Sequence, residues 1–170
     1  MLIIFGGLPG SGKTTIAKLL AQKLKALYLR VDSIEQALIK NGIEKHEIQA
    51  LGYEVAYALA NENLQLGLSV IADSVNPLDI TREAWQNIAL ENNCQFIEAE
   101  IMCSDKNEHR KRIESRHPDI PSHQLPSWAE VLQREYEPWL KDHLVIDTAK
   151  ASPAEAVNQI ISKINSLKQS

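Results

Sequence analysis

Apolar and polar positions alternate along this chain in blocks rather than residue by residue. Leu2, Ile3, Ile4 and Phe5 are a run of four apolar residues, too short for a buried helix and suited to a strand covered on both faces. From Thr14 the spacing changes, with Ile16, Ala17, Leu19, Leu20 and Leu24 recurring as a helix requires. The same exchange continues to the C-terminus. Residues 26–31 predict a second strand, and residues 32–35 open a short helix that stops near Asn41-Gly42. Residues 45–66 predict one longer helix with Ile48, Leu51, Val55, Ala58 and Leu59 along a side. A third strand over 68–72 ends at Asp73, and Asn76-Pro77 reads as the cap and first-turn proline of the helix that follows. Residues 95–102 predict a fourth strand, and residues 105–116 a helix crowded with basic side chains. Pro118, Pro121 and Pro126 punctuate the next stretch, before a helix from about Ser127 and a fifth strand over 143–146. Ser152-Pro153-Ala154-Glu155 is a capping box for the last helix. Strands alternating with helices require right-handed crossovers, hence an α/β fold with a parallel sheet covered on both faces.

Composition narrows the classes. The 170 residues suit one domain with its own core, and 44% hydrophobic against 24% charged residues argues against disorder. A net charge of −4 advertises no basic face, which weighs against gripping long nucleic acid. Cys94 and Cys103 have neither redox nor zinc spacing and read as reduced thiols. His46, His117, His123 and His143 show no ligand spacing. Without a basic leader or an apolar run of membrane length, a cytoplasmic protein with no membrane partner is expected.

The chemistry is concentrated between the first strand and the first helix. Gly7-Leu8-Pro9-Gly10-Ser11-Gly12-Lys13-Thr14 fits G-x-x-x-x-G-K-[ST], in the strand–loop–helix order of a phosphate-binding loop. Glycines let consecutive amides turn inward around phosphate oxygens, and the helix N-terminus adds partial positive charge. This stretch, through Thr15, is expected to hold the phosphates of ATP, with Lys13 reaching the β- and γ-phosphates and Thr14 offering its hydroxyl to Mg²⁺.

Taken with that loop, Asp32 after the second strand, Asp73 after the third and the arginine-rich helix after the fourth resemble a small-molecule or nucleotide kinase. The resemblance is to the P-loop kinase group that includes adenylate, shikimate and gluconate kinases, chloramphenicol phosphotransferase and polynucleotide 5′-kinase. Segments such as VDSIEQAL, GYEVAYALANENLQLG, VIADSVNPL, CSDKNEHRKRIESR and PSWAEVLQREYEPW are most similar to bacterial proteins named predicted kinases or AAA-family ATPases. The likeness implies a five-stranded parallel sheet in the order 2-3-1-4-5, ATP across its C-terminal edge, and a short lid over about residues 117–127. It also implies an acceptor-side base at Asp32, and arginines at 112 and 116 that touch ATP and neutralise the transferring phosphoryl group.

Each of these side chains has a plainer reading. Asp32 and Glu35 have the spacing of a helix cap. Asp73 either serves Mg²⁺ or the acceptor or satisfies turn amides. Asn76 either lines the acceptor pocket or only caps its helix, and Arg82 either lines that pocket or is a solvated helix residue. Arg110, Arg112 and Arg116 either face ATP or pair with Glu108 and Glu114. Two departures matter. Glu35 stands where polynucleotide kinases carry an arginine, which argues against a nucleic-acid 5′-hydroxyl acceptor, and the aspartate pair of adenylyl-sulfate kinases is absent. The expectation is an ATP-dependent phosphotransferase with a small hydroxylated acceptor. The reading from another class is a nucleotide-binding regulatory ATPase, which needs no base at Asp32.

Overall fold

The computed structural model describes residues 1–48, 50–121 and 124–167. Its strands are β1 (Leu2–Gly6), β2 (Leu27–Arg30), β3 (Val70–Asp73), β4 (Phe96–Met102) and β5 (Leu144–Asp147). All pair in parallel in the order β2-β3-β1-β4-β5, as expected. The helices are α1 (Lys13–Leu24), α2 (Val31–Lys40), α3 (Lys45–Ile48), α4 (Leu51–Gln65), α5 (Asp79–Glu91), α6 (Lys106–Ser115), α7 (Trp128–Gln133) and α8 (Pro153–Leu167).

The unbroken apolar run of β1 exists because the sheet is buried on both sides. Ile3 and Phe5 point into one core with Ile16, Leu20 and Ile160 from α1 and α8. Leu2 and Ile4 point into the other, with Ala56, Ala60 and Trp85 from α4 and α5. The sheet's C-terminal edge is thereby left to the loops, and β1, β2 and β3 deliver Gly7, Val31 and Ser74 side by side to that edge.

Three expectations about elements are corrected. The helix drawn over 45–66 is two helices, α3 and α4, with Gln49 outside the described residues. Asn76 does not cap α5, which begins at Asp79 behind Leu78. Arg116 ends α6 in an extended conformation instead of lying within the helix. The capping box stands, with Ser152 and Glu155 closing it. Asp105, expected as the first residue of α6, is instead its cap, accepting from the amides of Asn107 and Glu108 at 2.9 and 3.1 Å. Ser122 and His123, inside the expected lid, lie outside the described residues.

Candidate active site

The phosphate loop is built as its composition demands. Gly7, Gly10 and Gly12 take positive φ angles of 140°, 80° and 98°. A Cβ on Gly7 would collide with the carbonyl oxygen of Ile101, and one on Gly10 would stand 2.6 Å from Ile113 Cδ1. Gly12 heads α1 with no side-chain cap, and the amides of Gly10, Gly12, Lys13, Thr14 and Thr15 have no protein acceptor among the described residues. This is a concave run of donors at a helix N-terminus, the geometry that phosphate oxygens fit. Lys13 is buried at its centre. Burial pulls its pKa below the ordinary lysine value, while Asp73 and Asp32 oppose that shift.

From this loop a cleft of about 1270 Å³ runs toward β2 and α2, lined by Lys13, Thr14, Arg30, Asp32, Arg112 and Arg116 among others. Asp32 occupies the second position of α2, whose N-cap, Arg30, makes no side-chain cap bond. Asp32 caps nothing, and its carboxylate opens to the cleft. Arg30, 5% exposed at its side chain, donates to Asp32 at 3.4 Å and to Asp119 at 2.7 Å. Lys18 of α1 donates to the same Asp119 carboxylate at 2.9 Å. Those bonds bring the segment after α6 down over the cleft mouth. They also hold the Asp119 carboxyl well below the usual carboxylate range.

Asp73 is buried beside this arrangement. Tyr28 donates to its Oδ2 at 2.6 Å, and burial together with that charge pushes the Tyr28 phenol up. Its Oδ1 has no hydrogen-bond partner among the described residues. A buried carboxylate oxygen left open, with the Thr14 hydroxyl at the head of α1, is hard-oxygen chemistry that suits Mg²⁺. Among the described residues no group of three His, Cys, Asp or Glu gathers as a metal cage.

Asn76 and Arg82 are not in the cleft, contrary to their expected place in an acceptor pocket. Asn76 is fully buried at φ +47°, and its Nδ2 donates to the Phe5 carbonyl at 2.7 Å, which ties the end of β1 to the loop after β3. Arg82 is 1% exposed. Its guanidinium donates to the carbonyls of Asn76, Pro77, Glu137 and Pro138 at 2.6–3.1 Å and lies 4.3 Å from the Trp139 ring. It knots the chain after α7 onto the sheet, with four of its five N–H donors committed to backbone carbonyls.

The basic helix divides by face. Arg110 pairs with Glu114 in solvent, the plain reading of its charge. Arg112 pairs with Glu108 and also donates to the Thr148 hydroxyl at 2.8 Å and carbonyl at 3.1 Å. Thr148 in turn donates to the Ser11 carbonyl at 2.8 Å, so the loop after β5 is bonded to both the arginine and the phosphate loop. Arg116 lines the cleft, where burial lowers its pKa and the Asp32 charge opposes that. His109 is buried with Nε2 2.7 Å from the Pro9 carbonyl, so Nε2 carries the proton and donates. Trp128 packs edge-on to that imidazole at 5.1 Å.

Arg30, Asp119 and the loop-bonding roles of Thr148 and His109 were not legible as parts of the site. Arg30 reads in sequence as the end of a strand, and its partner Asp119 lies 89 residues away. Glu35 also lines the cleft, and burial together with Asp32 pushes its carboxyl up to about 7.

A family profile described as an AAA domain matches residues 2–135, and the chain belongs to that family. No protein of curated function matches it. Among solved structures, the chain is similar to a candidate kinase from Chloroflexus aurantiacus, with 24% identity over 97% of this chain and 96% of that one, TM-score 0.75. It is similar to the adenylyl-sulfate (APS) kinase of Mycobacterium tuberculosis in complex with AMPPNP and APS, with 18% identity over 96% of each chain, TM-score 0.70. A gluconokinase from Sinorhizobium meliloti shares 15% identity over 97% of this chain and 91% of that one, TM-score 0.65. At these identities the likeness establishes the fold, that of the P-loop NTPases.

Proposed function

We propose that this chain is an ATP-dependent phosphotransferase whose acceptor is a hydroxyl group of a small molecule. The observation that carries the reading is Asp32. It caps no helix amide, yet it opens to the same cleft as Lys13 and the unsatisfied amides of the phosphate loop. The amides and Lys13 would bind the triphosphate, and Thr14 and Asp73 would hold Mg²⁺, directly or through water, together with phosphate oxygens. The metal would supply charge neutralisation at the β- and γ-phosphates.

The acceptor oxygen then bonds to the γ-phosphorus as the bond to the bridging β,γ-oxygen breaks. Asp32 takes the hydroxyl proton, and ADP leaves. Arg112 and Arg116 line the cleft and would stabilise the charge on the transferring group. Known kinases of the same fold, one of them solved with an adenine nucleotide analogue, support ATP as the donor. No helix among the described residues is long and apolar enough to cross a membrane, and Cys94 and Cys103 are free thiols, which suits work in the cytoplasm.

The test is transfer of labelled γ-phosphate from ATP·Mg²⁺ to a fractionated metabolite extract, with Lys13→Ala and Asp32→Asn in parallel. Asp32→Asn should lower kcat for transfer by roughly 10²–10⁴ while nucleotide binding persists. Release of inorganic phosphate alone, never accelerated by an acceptor and indifferent to Asp32→Asn, would transfer the protein to the regulatory ATPases.

A further inference from the structure

Resting on the kinase reading, the acceptor end of the cleft also indicates what its substrate carries. Glu35 lies one helical turn after Asp32 on α2 and lines the same cleft. Side chains three apart on a helix are neighbours, with about 5–6 Å between their Cβ atoms. Glu35 is seated against α4 at Gly52, where any Cβ would overlap its Cγ, so α4 is hollowed to receive this one side chain. Seated there, its carboxylate has no hydrogen bond or ion pair among the described residues. The titratable groups facing it are Asp32 on α2, Tyr53 on α4 and Arg134 at the end of α7. Ile39 and Ile48 give this end of the cleft an apolar wall.

We propose that Glu35 determines acceptor specificity by accepting a hydrogen bond from a second donor on the substrate, a hydroxyl or ammonium beside the hydroxyl that is phosphorylated. The substrate is then a polyol or amino alcohol with an apolar ring or chain face. Desolvating a carboxylate without a partner is costly, and a donor from the substrate repays that cost. A phosphorylated or carboxylated acceptor would instead meet two carboxylates at close range. Since burial and Asp32 raise the Glu35 carboxyl to about 7, acceptor KM should be low above that pH and climb below it as the carboxylate protonates.

The experiment is phosphate transfer from ATP·Mg²⁺ to myo-inositol, sorbitol, 2-deoxystreptamine, glycerate and glycerol 3-phosphate in separate reactions. The acceptor isolated from the metabolite extract is judged by the same criterion. Transfer to the polyols or the amino alcohol is expected, with whichever is preferred separating hydroxyl from ammonium. Glu35→Gln should raise acceptor KM by roughly 10- to 100-fold, change kcat far less, and flatten the climb in KM below pH 7. An unchanged ATP KM would show that the variant is folded. The proposal is overturned, with the kinase reading intact, if glycerate, glycerol 3-phosphate or another anionic molecule is the preferred acceptor. It is equally overturned if Glu35→Gln leaves acceptor KM and its pH dependence unaltered. Failure to phosphorylate any acceptor overturns both readings.

Discussion

Gly10 shows how closely the phosphate loop and α6 are fitted. At φ +80° it already excludes most side chains, and a methyl group there would press on Ile113 Cδ1. Gly10→Ala should weaken ADP·Mg²⁺ binding about ten-fold or more by calorimetry, since strain of about 1–3 kcal/mol falls on the amides that hold phosphate. Arg82 makes the opposite case. Arg82→Met keeps the bulk and removes donors from four backbone carbonyls, with at least about 3 kcal/mol lost and Tm lowered by roughly 6–12 °C. Acceptor KM of the folded fraction should not move, because Arg82 lies outside the cleft. Its sequence context allowed a pocket or a surface place. Two of its partners lie 55 and 56 residues further along, and no local pattern announces such a convergence.

Caps and apolar spacing made most elements legible, and their failures have physical causes. Ser152 caps as its sequence says, and Asp105, read as the first residue of its helix, stands one position outside it as the cap. Asn76 has a cap's chemistry, but the Phe5 carbonyl claims its amide and its φ is left-handed, so the helix starts three residues later. The break between α3 and α4 leaves no trace in the pattern, since Ile48 and Leu51 stand three apart and preserve helical spacing across it. Asp105→Ala should cost about 1 kcal/mol and lower Tm by roughly 2–4 °C in a thermal melt. Because α6 carries both His109 and Arg112, the same variant should also loosen nucleotide binding, whereas Ser152→Ala, at the head of α8, should cost similar stability with binding intact.

The whole molecule is organised around a cleft whose floor was legible and whose roof was not. Lys13, Thr14 and Asp32 follow strands that the apolar runs reveal, whereas Arg30 finds Asp119, and Ser11 finds Thr148, only after the chain has crossed the sheet. Asp119 ties α1 and β2 to the segment after α6 through Lys18 and Arg30. Its carboxyl is depressed in the fold, so this tether is complete above the ordinary carboxylate range and is lost only as pH falls toward the depressed value. Asp119→Asn should therefore speed proteolytic cutting between residues 116 and 127 by roughly five-fold at neutral pH, a difference that shrinks in strong acid. The packing of Trp128 on His109, which itself holds the Pro9 carbonyl, extends to the optics of the molecule. Trp85 is sealed in the core, and Trp139 lies against His143, Arg82 and the backbone of Gly6 at the end of β1. The Trp128 indole reaches the Pro9 carbonyl through a single imidazole, so its emission should shift when a nucleotide fills the loop, and a Trp128→Phe variant should lose that signal.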